Sequence, residues 1–133
     1  MGGIMHNVTE RVYIFSVFNS TRTTKENEET HKETMRELKA RHYTPTEVKN
    51  KLNGIEQTSI MVYGTNLTES VIDELAKKNF QESHLMIYHD GVTELVYSNG
   101  NRKILGDFVS VSESEAKSKD AYSKIGNQWF VIE

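Results

Sequence analysis

With 133 residues, a net charge of −3 and sixteen Lys and Arg spread beside nineteen acids, the chain has the length of one domain and no basic stripe for phosphates. The absence of cysteine excludes a thiol nucleophile, a thiolate metal site and a disulfide framework. No apolar run approaches the ~18 residues of a membrane span, so the reading is of a cytoplasmic protein that engages neither nucleic acid nor membrane.

Residues 1–10 read as a disordered leader and residues 11–133 as a single α+β domain. Val12 to Phe18 alternates, with Val12, Ile14, Ser16 and Phe18 on one side and Tyr13, Phe15 and Val17 on the other, and a strand apolar on both faces is usually central. The polar loop Asn19 to Thr24 then feeds a helix from Lys25 to Arg41, with Thr23 or Thr24 as N-cap and Glu26, Glu28 and Glu29 in its first turn. Its apolar stripe is thin (Met35, Leu38), so the inward face has to include Asn27 and His31.

Tyr43-Thr44-Pro45 ends that helix, and Glu47–Leu52 and Gln57–Tyr63 form a hairpin around Asn53-Gly54. Leu67, Val71, Ile72 and Leu75 mark a second helix behind an Asn66 or Thr68 cap. Two further strands meet at Asp90-Gly91, and "RKILGDFVSV" and "QWFVI" read as short strands flanking a polar surface excursion from Ser112 to Lys124. The order strand, helix, strand, strand, helix, strand is that of a ferredoxin-like split βαβ sandwich, an antiparallel sheet with two helices on one face, here with an added C-terminal hairpin and tail. Such a sheet leaves one apolar face open, and association into an oligomer would cover it.

The five histidines show no metal-ligand spacing, and no nucleophile elbow, P-loop or dinucleotide fingerprint is present, so neither metal nor cofactor is expected. Three features remain. Asn27 and His31 stand at i and i+4 facing the first strand. Glu56 follows the hairpin turn, and Glu82 enters a strand expected to be central. Each also has a structural reading: a backbone-bracing pair, a solvated strand carboxylate and a sheet-end acid.

The opening segment resembles the phage-encoded S-adenosylmethionine lyases, formerly called hydrolases. Phe18, Ser20, Asn27, His31 and Leu38 fall on that family's pattern without a gap. Gly54-Ile55-Glu56 fits a Gly-x-x-acid step with the acid one residue early, and Gln81-Glu82-Ser83, Leu95–Gly100 and Trp129 fit later steps. The resemblance implies a homotrimer with sites between subunits, acting in the host cytoplasm if the chain is phage-encoded. It also implies cleavage of S-adenosylmethionine to methylthioadenosine and L-homoserine lactone by the substrate's own carboxylate, which defeats methylation-dependent restriction. The roles that follow place Ser20, Thr21 and nearby backbone amides at the substrate carboxylate, with Arg22 either helping or facing solvent, Phe18 among the substrate-binding residues, and Asn27 and His31 bracing the loop. Glu56 or Glu82 would bind the ribose or ammonium, and Tyr43 or Tyr63 would set a ring near the sulfonium. Two other readings stand beside this one. The first is a lyase of adenylated S-adenosylmethionine, with Arg22, Lys25, Lys49, Lys51 and Lys103 as a basic rim. The second is a non-enzymatic trimeric nucleotide-binding regulator of the nitrogen-signalling type.

Overall fold

The computed structural model describes residues 11–52 and 54–133; the expected leader and Asn53 of the hairpin turn lie outside the described residues. The described residues run β1 (Val12–Phe15), α1 (Thr24–Ala40), β2 (Thr44–Leu52), β3 (Ile55–Tyr63), α2 (Glu69–Lys78) and β4 (Ser83–Ile87). They continue with β5 (Val92–Tyr97), β6 (Arg102–Val111), α3 (Glu113–Lys117), β7 (Tyr122–Ile125) and β8 (Gln128–Ile132).

The expected ferredoxin-like sandwich is wrong. The strands close into an antiparallel barrel of order β1-β3-β2-β7-β8-β6-β5-β4, with β4 returning to β1. The run β4-β1-β3-β2 has the neighbours of a split βαβ unit, but its two outer strands are not left as edges. β5 extends the sheet from β4, and β7 pairs with β2 through Lys49↔Lys124 and Lys51↔Tyr122. β6 and β8 join these two arcs. The polar segment read as a surface excursion thus contains α3 and a strand of the barrel.

The physical reason is burial. Val12, Ile14, Val48, Met61 and Ile87 form one apolar cluster, and Phe108 and Ile125 from the late strands pack against it. The face reserved for other subunits is therefore the barrel interior, covered by this chain's own tail, which also removes two unpaired sheet edges. The other face of β1 carries Tyr13, Phe15 and Val17 into a second cluster with Leu38 of α1 and Ile72 and Leu75 of α2. Fully burying side chains of this size stabilises by ~1.5–3 kcal/mol each, so this short strand anchors both layers.

Local chemistry fixes the helix ends. Thr23 caps α1, with its hydroxyl accepting the Glu26 amide at 3.1 Å while Glu26 accepts the Thr23 amide at 2.8 Å. The helix stops through His42 at φ 68°, with the His42 amide on the Lys39 carbonyl and the Tyr43 amide on that of Leu38. Arg102 of β6 ties α2 to the barrel, bonding Glu69 at 2.7 and 3.1 Å and Glu94 at 2.9 Å.

Closure needs a bend in β6. The β5–β6 register slips between Thr93 and Glu94, and Gly106 beside the slip has φ 138°. A Cβ there would collide with the Glu133 carbonyl, which accepts the Asp107 amide at 2.7 Å. Gly106→Ala is accordingly expected to destabilise by at least about 2 kcal/mol in urea unfolding, from combined strain and clash; a change within about 0.5 kcal/mol would contradict this reading of the bulge.

Candidate active site

Beyond Phe15 the chain leaves the barrel through residues 16–23. Ser16 Oγ donates to the Thr58 carbonyl of β3 at 3.0 Å and accepts the Phe18 amide at 3.1 Å. From α1, Asn27 Oδ1 accepts the Asn19 amide at 2.8 Å and Asn27 Nδ2 donates to the Asn19 carbonyl at 3.0 Å. Arg22 directs Nη1 to the Val17 carbonyl at 3.1 Å and to Asn79 Oδ1 at 2.9 Å, so its guanidinium braces the loop. Thr21 gives its amide and hydroxyl to Asn19 Oδ1 at 2.8 and 2.6 Å. Ser20 is left with an amide and a hydroxyl that have no partner among the described residues.

One turn along α1 from Asn27, His31 is 5% exposed and its ring meets that of Phe18 edge-on, centroids 5.8 Å apart. Its Nε2 lies 3.0 Å from Glu47 Oε1 on β2, at an angle short of a full hydrogen bond, and Nδ1 has no hydrogen-bond partner. Strand alternation explains the meeting. Val48 points into the barrel, so Glu47 and Lys49 point outward under α1. Lys49 Nζ lies 3.7 Å from Glu47 Oε2 and donates to Thr58 Oγ1 at 3.0 Å.

Phe18 links the two groups, giving one continuous face from Ser20 through Phe18 and His31 to Glu47 and Lys49. Glu47 has half its side chain exposed at the edge of a buried imidazole, and it was not among the residues singled out from the sequence. The available signal was its parity opposite Val48 in a strand that follows a helix with His on its inner face.

The other expected residues lie elsewhere. Glu56 is exposed and pairs across from Lys51, four residues beyond the Glu47–Ile60 pair, roughly 13 Å along the strand. Glu82 is exposed at the head of β4, where its carbonyl accepts the Ser98 amide at 2.8 Å. Tyr63 sits at the far end of β3 opposite Thr44 and packs on the barrel cluster. Tyr43 packs on the helix-side cluster and against Gly64. In this chain the Ser20 loop therefore gathers Phe18, Arg22, Asn27 and His31, but neither tyrosine.

A separate cleft of about 460 Å³ opens between α2 and the β5–β6 turn, lined by Glu69, Asp73, Lys77 and Arg102 among others. It holds none of the expected residues. Its charges are paired with each other, Lys77 to Asp73 at 3.0 Å and Arg102 to Glu69 at 2.7 Å, as a clamp on α2 would be. Among the described residues, no group of three or more His, Cys, Asp and Glu is placed to hold a metal ion, and no helix is long and apolar enough to cross a membrane.

Burial pushes His31 below the ordinary imidazole pKa; the Glu47 carboxylate opposes that shift and the Lys49 ammonium adds to it. His84 is likewise lowered by burial, against the pull of Glu69 and Asp73. A folded-state pKa below the unfolded value means that the unfolded chain binds protons more readily. The stability these histidines contribute is present above the unfolded value near 6.5 and is lost as pH falls toward the folded value. The melting temperature should drop from about pH 6.5 downward. The drop should be shallower in His84→Leu, and an unchanged slope in that variant would contradict the assignment.

The arrangement is a small polar face with an unpartnered hydroxyl and amide at one end and a carboxylate–imidazole–ammonium group at the other. It suits holding a small charged molecule rather than attacking it: among the described residues no base is hydrogen-bonded to the Ser20 hydroxyl, and the His31 ring lies against Phe18 and Glu47. A model of the S-Adenosylmethionine lyase family matches residues 13–133, and the chain belongs to that family. No curated protein matches the chain significantly.

Proposed function

We propose that the protein cleaves S-adenosylmethionine to methylthioadenosine and L-homoserine lactone by attack of the substrate's own carboxylate, so depleting the methyl donor. The family match supports a lyase acting on this substrate. The observation that carries the finer reading is the Glu47–His31–Lys49 group, continuous through Phe18 with the Ser20 loop.

In this reaction a carboxylate oxygen bonds to Cγ, the C–S bond breaks, and its electron pair neutralises the sulfonium. No protein nucleophile and no proton transfer is required. The protein's part is to fold the methionine arm into a near-attack conformer and exclude water, which otherwise solvates both charges that the reaction annihilates.

Ser20 would donate to the substrate carboxylate through its hydroxyl and amide. Glu47 would bind the ribose hydroxyls or the α-ammonium. A carboxylate at the sulfonium itself would be counterproductive, because its attraction fades as the positive charge disappears and it would stabilise the ground state more than the transition state. Phe18 offers a neutral ring, whose weaker cation–π attraction to the sulfonium stabilises the ground state less than a carboxylate would.

The measurement is turnover of S-adenosylmethionine by Glu47→Gln, Glu56→Gln and Glu82→Gln. Loss of one charge-assisted hydrogen bond is worth ~1.5–3 kcal/mol, about ten- to a hundredfold in kcat/KM, and is expected at Glu47. A loss at Glu56 or Glu82 with Glu47→Gln fully active would reverse the assignment.

An adenylated substrate is the second reading, favoured by Lys49 facing Lys124 across β2 and β7, with Lys117 and Lys124 at 5.4 and 5.1 Å from the Trp129 ring. An added phosphate would meet these ammonium groups. Mass spectrometry of products from both substrates separates the two, and absence of turnover on either would leave the regulator reading. A homotrimer with sites between subunits rests on the family resemblance, since the barrel interior no longer argues for it. Light scattering tests it, a monomeric mass being the contrary result.

A further inference from the structure

We infer that Asn79, the residue that ends α2, is a positioning residue for the reaction, acting through Arg22 on the loop that presents Ser20. The inference rests on the lyase reading. No element adjacent in sequence connects Asn79 to that loop; the connection is made in space, from the buried Asn79 to the half-buried Asn19 and Arg22.

Asn79 is 2% exposed, so each of its polar atoms needs a partner. Its Nδ2 donates to the Leu75 carbonyl at 2.8 Å, occupying an otherwise orphaned acceptor of the last helical turn. Its Oδ1 accepts from Arg22 Nη1 at 2.9 Å, and its carbonyl accepts from Asn19 Nδ2 at 3.0 Å and Gln81 Nε2 at 3.3 Å. Gln81 Nε2 also donates to the Phe18 carbonyl at 2.5 Å, while Arg22 Nη1 holds the Val17 carbonyl at 3.1 Å. Residues 18 and 19 are thus held directly by the turn after α2, and residue 17 through Arg22.

The backbone is shaped for this grip. The Phe80 amide bonds the Lys77 carbonyl at 3.0 Å and the Gln81 amide that of Ala76 at 2.9 Å, which reverses the chain at Phe80. Phe80 takes φ 58°, unfavourable for a side chain of its size, and leaves its ring 76% exposed. A residue that gains so little from its own contacts holds a turn that sets Asn79 and Gln81 against the loop. Position 79 requires one donor and one acceptor on one short side chain: Asp keeps the bond to Arg22 and loses the one to Leu75, and Ala loses both.

Ser20 hangs between Asn19 and Thr21, both fixed by this network. Its orientation, and that of a carboxylate bound to it, depends on the clamp. A misplacement of about 1 Å in such a group can cost ~100-fold in rate, so the effect should fall on kcat more than on KM.

The experiment is a double-mutant cycle on turnover of S-adenosylmethionine with Asn79→Ala, Arg22→Ala and the pair, beside amide exchange of residues 16–23. Val131→Ala, a change at a buried β8 position (4% exposed) outside this network, is the control for lost stability. Asn79→Ala is expected to lose about tenfold or more in kcat with KM changed less than about threefold. The double variant should lose no more than the worse single one, and Asn79→Asp should recover part of the loss. Exchange at residues 16–23 should accelerate in Asn79→Ala and not in Val131→Ala. Additive losses in the cycle, or a kcat loss in Val131→Ala equal to that in Asn79→Ala, would overturn the proposal. If Asn79→Ala does not fold, Asn79→Asp against Arg22→Lys carries the same comparison. The exchange arm needs no substrate: an inactive wild type overturns the lyase reading, whereas unchanged loop exchange in Asn79→Ala overturns the clamp.

Discussion

A four-residue strand buried on both faces sets the terms for the rest of this fold. Val12 and Ile14 point into the barrel and Tyr13 and Phe15 toward the helices, all at most 3% exposed. Such a strand requires cover on each side and a partner on each edge. The helices α1 and α2 supply one cover, and the late strands, through Phe108 and Ile125, supply the other. Because β1 is held by β3 and β4, the point where it ends is also fixed, and the loop that begins there inherits that rigidity.

The site follows from the same geometry. α1 starts where β1 stops and runs back over the sheet, so its inner face crosses the outer face of β2. Where a wholly apolar helix would bury Leu or Ile, this one buries Asn27, His31 and Thr34. Burying these polar groups carries a desolvation cost that a structural helix has no need to incur. Asn27 recovers it in two bonds to Asn19, but His31 recovers only a poorly angled approach to Glu47. Asn50 Oδ1 and His84 Nε2 are likewise unpartnered, but His31 meets a half-exposed carboxylate, and it is there that the proposed function puts the ligand.

Most local elements were legible in the sequence. Thr23 with Glu26 announced the start of α1, and Asp90-Gly91 between two β-branched runs announced the β4–β5 hairpin. The long-range closure was not legible. β7 follows a run of Ser and Lys, and its pairing sets Lys124 opposite Lys49, an arrangement local rules disfavour. It forms because β2 needs a neighbour and the barrel needs Ile125, neither of which lies nearby in sequence. The candidate site divided in the same way. Asn27 and His31 stood out as polar residues on an inward helical face, whereas Glu47 looked like one more charge in an alternating polar strand. Only the crossing of α1 over β2 brings Glu47 to His31.

The central claim is that this face positions S-adenosylmethionine for attack by its own carboxylate. The most direct measurement is the position of label after brief reaction in heavy-oxygen water, read by mass spectrometry of the earliest products. The account predicts methylthioadenosine beside unlabelled homoserine lactone, with any homoserine formed later carrying the label in its carboxyl group. Label in the γ-hydroxyl of homoserine at the earliest times would show that water attacks Cγ directly, and would contradict it.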